Sequence, residues 1–323
     1  MSKNENDEKY VLIIGSSNMD LNIYSQKLPK PGETVTGGTF RQSLGGKGAN
    51  QAVASARSGA KTVFIGKIGT DTFGDQMLTH LHEEGIDINH VIKDKKHSSG
   101  VAFILIDENG ENMISVAPGA NFHLTRQEII EHSQIIKNAS ALVVQMEIPI
   151  ETIEEIFKIA SEGKAIKILN PAPLKPIPNE ILRDIDIIVP NEGELVRLNS
   201  LLALPDIKEE GNNRIVEISK NIAKLGPKWI ITTLGNRGCL IYDRKKDKSA
   251  SIPTIKVEAV DTVGAGDCFN GVLASKLSRG DSIINAAKYA IAASSIAVTR
   301  KGAQESMPHS NEIELQFKKM NSN

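Results

Sequence analysis

Only two cysteines occur in 323 residues, Cys239 and Cys268, far apart and in no ligand spacing. That excludes a disulfide framework and a cysteine zinc site, and both thiols are expected as reduced packing residues. Thirty-eight Lys and Arg stand against 39 Asp and Glu, for a net charge of −1. The basic excess that a nucleic-acid or anionic-membrane binder uses to displace counterions is therefore lacking, so neither partner is expected. No run approaches the roughly 18 uncharged apolar residues of a membrane helix. Residues 1–9 are polar and charged, without the apolar stretch of a secretory signal, and read as a disordered tail on a cytoplasmic protein. Aromatic residues make up only 4%, with a single Trp, which leaves few platforms on which a nucleobase could stack.

What is abundant is short β-branched runs alternating with longer helical patterns. Residues 10–15, 62–66, 141–145, 165–169, 186–189 and 228–233 read as buried strands. Between them, residues 50–58, 72–84, 125–138, 150–161, 213–224, 265–278 and 282–298 carry helical periodicity, several opening on Ser, Thr or Asn. This alternation predicts an α/β fold, a Rossmann-like three-layer α/β/α sandwich with a mostly parallel central sheet. The 40% apolar content suffices for one such domain over residues 10–323. Two stretches break the rhythm, residues 33–43 and the pair 100–107 and 112–117, the latter joined through Asn109-Gly110, a strong hairpin signal. They predict a small antiparallel β-sheet projecting as a lid near 33–43 and 100–117. Its apolar face is more readily buried against a second copy than left in water, so a homodimer through the lid is expected. Residues 204–214 read as a surface loop, and residues 312–320 as a final amphipathic helix.

The chemistry concentrates in Asp261-Thr262-Val263-Gly264-Ala265-Gly266-Asp267, which feeds an apolar-periodic helix. Gly264, Ala265 and Gly266 can present backbone N–H groups at the helix N-terminus, where unsatisfied donors and the helix dipole favour an anion such as a transferring phosphate. Asp267 beside that anion hole can take a proton from a hydroxyl attacking phosphorus. A Gly-rich turn with a capping Asp would present the same residues.

Gly45-Gly46-Lys47-Gly48-Ala49-Asn50 is a glycine turn into a helix of small residues. It is not a Walker A loop, because no Ser or Thr follows Lys47 and the glycine spacing differs. Lys47 and Asn50 offer donors suited to sugar hydroxyls, and close helix–sheet packing accounts for the glycines equally well. Asn18-Met19-Asp20 lies beyond the first strand, where open α/β sheets bind ligands; Asp20 can accept from vicinal hydroxyls, or the pair can cap a turn. Glu147 holds the equivalent place after another strand, where it could equally be a plain loop carboxylate. Asn191-Glu192-Gly193-Glu194 combines a carbonyl with carboxylates, the oxygen-rich set that Mg²⁺ prefers, and an N-cap Asn with an acidic first turn has the same pattern. Thr233-Leu234-Gly235-Asn236-Arg237-Gly238 can face nucleotide phosphates or make a hairpin turn.

Taken in order with Thr299-Arg300-Lys301-Gly302-Ala303-Gln304, these motifs resemble the ribokinase-like carbohydrate kinase family over residues 10–308. The resemblance implies transfer of the ATP γ-phosphoryl group to the 5-hydroxyl of ribose, with Asp267 as base and Gly264 to Gly266 as anion hole. It implies sugar contacts from Asn18, Met19, Asp20, Gly46, Lys47, Asn50, Glu147 and Asp267. For the nucleotide it implies Asn191, Thr233, Leu234, Gly235, Asn236, Arg237, Gly238, Gly266 and Asp267, with Glu194 organising Mg²⁺ through water. A structural K⁺ would lie beside the anion hole, on Asp261 and Ser306 with backbone from Val263, Ala297, Arg300 and Gly302. Three positions depart from the family pattern: Val263 where Thr is common, Ser99 in place of a frequent Thr, and Ile291 where a His can contact adenine. Deoxyribose, fructose or a nucleoside are the alternative acceptors, the last disfavoured by the scarcity of aromatics. A non-catalytic sugar sensor is the other alternative, and it would need no base beside an anion hole.

Overall fold

The computed structural model describes residues 9–322, so the tail expected over residues 1–9 lies, but for Lys9, outside the described residues. Eight strands form the central sheet, in the order Lys248–Ile252, Cys239–Asp243, Trp229–Thr233, Ile187–Ile188, Ile166–Asn170, Ala141–Gln145, Val11–Ile14 and Thr62–Ile65. All neighbours pair in parallel except the last two at the Lys248 edge, which are antiparallel.

The continuous apolar runs have a simple cause: these strands are buried on both faces. Along Val11-Leu12-Ile13-Ile14, Leu12 and Ile14 enter one core cluster and Val11 and Ile13 the other, as the two-residue period of a strand requires. On the first face lie Ile153 and Ile156 of the helix Ile150–Ser161, Leu195 and Leu198 of Glu192–Leu201, and Ile215, Ile218 and Ile222 of Gly211–Ala223. On the second lie Ala49, Ala52 and Val53 of Lys47–Arg57, with apolar residues of Ala265–Ser278, Ile283–Ala297 and Ser310–Ser322. The expected three-layer sandwich is thus the observed one. Both cysteines are buried and free, and burial pushes both thiols up to about 12, as fits packing residues. Among the described residues no helix is long and apolar enough to cross a membrane.

The second sheet departs from expectation in three ways. It has four strands, in the order Thr39–Gly45, Asn18–Tyr24, Gly100–Ile106 and Asn112–Ala117, and Asn18–Tyr24 is not among the expected strands. Polar residues at alternate positions, Asn18, Asp20 and Asn22, hide that strand's apolar side, Met19 and Leu21. The sheet is mixed rather than antiparallel, because Asn18–Tyr24 pairs in parallel with Gly100–Ile106. Finally, the strand expected at 33–43 begins only at Thr39; Glu33 instead turns the chain, accepting from the Lys30 N–H at 3.1 Å and pairing with Lys27.

Smaller differences are local. The helix expected over 125–138 breaks at His132 into Arg126–Glu131 and Ser133–Asn138, and the loop expected over 204–214 gives way to helix at Gly211. A two-stranded sheet, Lys67–Gly69 with Ile92–Asp94, went unread because three-residue strands carry too little periodicity.

Candidate active site

Asp267 stands in the first turn of the helix Ala265–Ser278, whose N-cap, Gly264, has a φ of 73°, a left-handed conformation that disfavours a side chain. First-turn N–H groups of an α-helix have no intrahelical acceptor, so this end of the helix is a donor-rich, anion-favouring surface. Asp267 is 6% exposed, and both of its oxygens are held: Oδ2 accepts from Asn50 Nδ2 and Oδ1 from Gln51 Nε2, each at 2.9 Å. Both donors lie on the helix Lys47–Arg57.

That helix is seated by its glycines. A Cβ on Gly48 would fall 2.7 Å from the backbone of Gly15 and Ser16, so backbone meets backbone there. Close helix–sheet packing therefore accounts for Gly48, one of the two readings of the motif. Glu147 is no plain loop carboxylate, since its Oε2 accepts the Lys47 N–H at the helix N-terminus, at 3.0 Å, and also the Ser16 hydroxyl.

Asp20 projects from the second sheet toward this group. Burial first, then the carboxylates of Glu147, Glu305 and Asp267, pushes its carboxyl up to about 7. Lys47 supplies the opposite charge: Asp267 above all, then Glu147 and Glu194, hold its ammonium above the usual range against the cost of burial. Asn18 is fixed by Asn121, whose Nδ2 donates to Asn18 Oδ1 at 2.8 Å. Of Met19, also in the expected sugar set, only the backbone lies on the side of Asp20. Alternation along the strand turns its side chain to the opposite face from Asp20, where it packs with Ile68 and Met77.

The segment 191–194 makes both halves of a capping box, with Asn191 Oδ1 accepting the Glu194 N–H and Glu194 Oε2 the Asn191 N–H, each at 2.8 Å. Burial pushes the Glu194 carboxyl above its usual range, with Asp267 adding to the effect and the Asn191 N–H and Lys47 opposing it. Lys47 and Asp267 thus link this segment electrostatically to Glu147 and Asp20. Thr233 bridges Asn191, and Gly235–Arg237 is the turn of the hairpin between Trp229–Thr233 and Cys239–Asp243. Arg237 pairs with Glu192, tying the hairpin turn to the start of the helix Glu192–Leu201. The Leu234 side chain is buried in the core, so its backbone alone is placed at the hairpin turn.

Beside the anion hole, Asp261 accepts the Val263 N–H on Oδ1 and the Gly302 N–H on Oδ2, both at 3.0 Å. Ser306 is fully buried and donates to the Ala303 carbonyl at 2.8 Å. The segments carrying Asp261, Val263, Gly302 and Ser306 therefore converge, and the Asp261 N–H donates to the Val298 carbonyl at 3.2 Å, which brings the turn from Ala297 to Arg300 alongside, with the Ala297 side chain in the core and Arg300 paired with Glu312.

Four site residues escaped the sequence reading. Gln51, Gln145, Asn170 and Gln304 are buried amides, joined to Asp267 directly or through one intermediate. Their signal was available: Gln145 ends an otherwise apolar strand and Asn170 one with a single Lys, at paired register positions.

A family model of pfkB family carbohydrate kinases matches residues 8–310. The chain is 38% identical over 305 residues to a ribokinase of Staphylococcus aureus, covering 94% of this chain and 98% of that one. It is 40% identical over 302 residues to the bifunctional ribokinase/ribose-5-phosphate isomerase A of Fructilactobacillus sanfranciscensis, a match over 93% of this chain that spans only 54% of that protein. The ribokinase of Arabidopsis thaliana complexed with ribose and ATP superposes with a TM-score of 0.90 at 31% identity, over 96% of this chain and 99% of that one. With nearly the whole chain matched in sequence and in fold, and a carboxylate at a glycine-capped helix start, this chain belongs to the pfkB family of carbohydrate kinases.

Proposed function

We propose that the protein transfers the γ-phosphoryl group of ATP to the 5-hydroxyl of D-ribose, giving ribose 5-phosphate and ADP. The observation that carries this reading is the buried Asp267 carboxylate, held on both oxygens by amides at the N-terminus of the helix Ala265–Ser278, with Asp20 close to it and to Glu147. Carboxylates accept hydrogen bonds from vicinal hydroxyls, which suits a compact polyol. In the step itself, Asp267 takes the proton of the 5-hydroxyl as the sugar oxygen bonds to phosphorus. The bond from phosphorus to the bridging oxygen breaks in line, and ADP leaves with that electron pair. Gly264, Ala265 and Gly266 offer the N–H surface for the charge on the moving phosphoryl group.

Nucleotide contacts are assigned to Asn191, Thr233, Gly235, Asn236, Arg237, Gly238 and Gly266, with Leu234 limited to its backbone. Glu194 fits a hydrated Mg²⁺, because its capping bond uses one carboxylate oxygen and leaves the other. Such an ion supplies charge neutralisation on the phosphates. Asp261 and Ser306, with carbonyls of Val263, Ala297, Arg300 and Gly302, fit K⁺, a weakly polarising ion that oxygen ligands suit. Its contribution is to hold the turn that shapes the anion hole.

The lid sheet carries the proposed dimer contact. Phe40, Ile23, Leu105 and Met113 are register partners across all four strands, and Phe40 and Met113 are 56% and 52% exposed. A second copy of the chain would remove that row from water.

The test is a coupled ADP-release screen of ribose, deoxyribose, fructose and adenosine with Mg·ATP, with and without K⁺. Ribose is expected to give the highest kcat/KM, with turnover stimulated by K⁺. No sugar above the ATPase background would defeat the kinase reading, and a preference for deoxyribose would move the assignment to that sugar.

A further inference from the structure

Of the two amides that hold Asp267, Gln51 has no exposed surface, so it reaches neither sugar nor nucleotide. Its orientation is nevertheless determined. An ionised carboxylate only accepts, so Gln51 must turn its NH₂ group toward Asp267, and its Oε1 is then left to accept. Gln145 Nε2 donates to that Oε1 at 2.7 Å. Gln51 Nε2 donates also to Asn170 Oδ1 at 3.1 Å, and Asn170 Nδ2 in turn donates to the Val189 carbonyl at 3.0 Å. Gln145 and Asn170 are register partners at the carboxyl ends of two neighbouring central strands. One oxygen of Asp267 is thereby fastened to the sheet itself, across 216 residues of sequence.

On this basis, and resting on the proposed kinase reading, we propose that Gln51 is a positioning residue for the base, with Asn170 and Gln145 as its supports. A carboxylate in the first turn of a helix can rotate about its own side-chain bonds. Gln51 removes that freedom on Oδ1, while Asn50 acts on Oδ2 and is itself held by Gln304 Nε2 at 3.0 Å. The two helices are close enough for this because a Cβ on Gly271 would fall 2.4 Å from the Gln51 carbonyl oxygen. Stability alone gives little reason for the arrangement. Burying amides gains little net free energy, and Gln145 Oε1 has no partner among the described residues. Reactivity does give one, because a misplacement of about 1 Å at a reacting group can cost about 10²-fold in rate.

The experiment compares kcat and ribose KM of the full-length wild type, Gln51→Met, Gln51→Glu and Asn170→Ser across pH, with melting curves to establish folding. Gln51→Met is expected to lose about 10- to 30-fold in kcat with ribose KM within about twofold, since no sugar contact is removed. Asn170→Ser should lose less, in the same kcat-only pattern. Gln51→Glu carries the signature a packing role lacks. Its protonated carboxyl can still donate to Asp267, whereas the ionised form repels it, so the ratio of its kcat to the wild-type value must fall as pH rises. Should Gln51→Met not fold, that ratio and the Asn170→Ser kinetics decide the matter. A folded Gln51→Met with kcat within about twofold of wild type, a rise in KM alone, or a pH-independent ratio for Gln51→Glu would overturn the inference. The kinase reading fails separately, by wild-type protein that turns over no sugar or by an Asp267→Asn variant of normal kcat.

Discussion

The two sides of the cleft are built differently. On the proposed acceptor side, Asn50 and Gln51 donate to Asp267 and the Lys47 N–H donates to Glu147, hydrogen bonds between residues 100 to 217 positions apart. On the proposed nucleotide side, the capping-box bonds of residues 191–194 are i to i+3, residues 235–237 are the turn of a hairpin, and the Arg237–Glu192 pair that ties them spans 45 positions. Chemistry at the acceptor side needs a carboxylate fixed in three dimensions, which requires several elements acting together. A nucleotide presents a large surface that backbone turns can line. Perturbing the first side should change turnover, and perturbing the second should change stability and nucleotide affinity.

The largest effect is expected from Asp267→Asn. Removing the base while keeping the shape should lower kcat by at least about 10²-fold, with ribose binding by calorimetry largely unchanged. Near-normal turnover would place the base elsewhere and dissolve the contrast.

Next comes the pH dependence of sugar binding. With the Asp20 carboxyl pushed up to about 7, its ionised, doubly accepting form prevails only above that pH. Ribose KM should therefore rise as pH falls through 7, by roughly tenfold once the charge-assisted hydrogen bonds are lost, and Asp20→Asn should abolish the dependence. The linkage has the opposite sign for stability. A carboxyl raised in the folded state contributes stability below its unfolded value of 3.8 and loses it as pH rises through about 7. The melting temperature of Asp20→Asn relative to wild type should therefore increase as pH rises from about 4 to about 7 and level off above it; a constant difference across that range would show that Asp20 does not titrate there.

On the nucleotide side, Asn191→Ala should cost about 1 kcal/mol of stability in denaturant unfolding, because it removes the cap, and should raise KM for ATP but not for ribose. An equal rise in both constants would show the two sides to be one unit. The smallest catalytic effect belongs to the lid: Phe40→Asp should shift sedimentation from dimer to monomer with kcat within about threefold of wild type, as expected for a contact remote from the base. A wild-type protein that sediments as a monomer would remove the proposed interface.

Legibility in the sequence followed the same division. Elements buried on both faces, such as Val11–Ile14 and Ala141–Gln145, announce themselves as continuous apolar runs. Asn18–Tyr24 did not, because polar residues alternate along it and its apolar side packs on a small separate cluster. Within the site, Asp267 and Gly264 were legible because a glycine turn, a carboxylate and a helix start adjoin in sequence. The direction of the Met19 side chain was not legible, because membership of a motif says nothing about which face a strand residue takes. Gln51 directly follows the motif that ends at Asn50 and has no role of its own in the sequence, since an amide becomes informative only once its partners are known.

The sequence by itself determined the layered α/β architecture, the absence of a disulfide framework and the glycine-capped helix start carrying Asp267, because each depends on local composition and periodicity. Tertiary structure alone decided that Asp267 is held on both oxygens and that Asp20 lies close to the charges of both Asp267 and Glu147. It alone decided, too, that Met19 and Leu234 turn away. Those facts depend on contacts between segments distant in the chain, which no local pattern records.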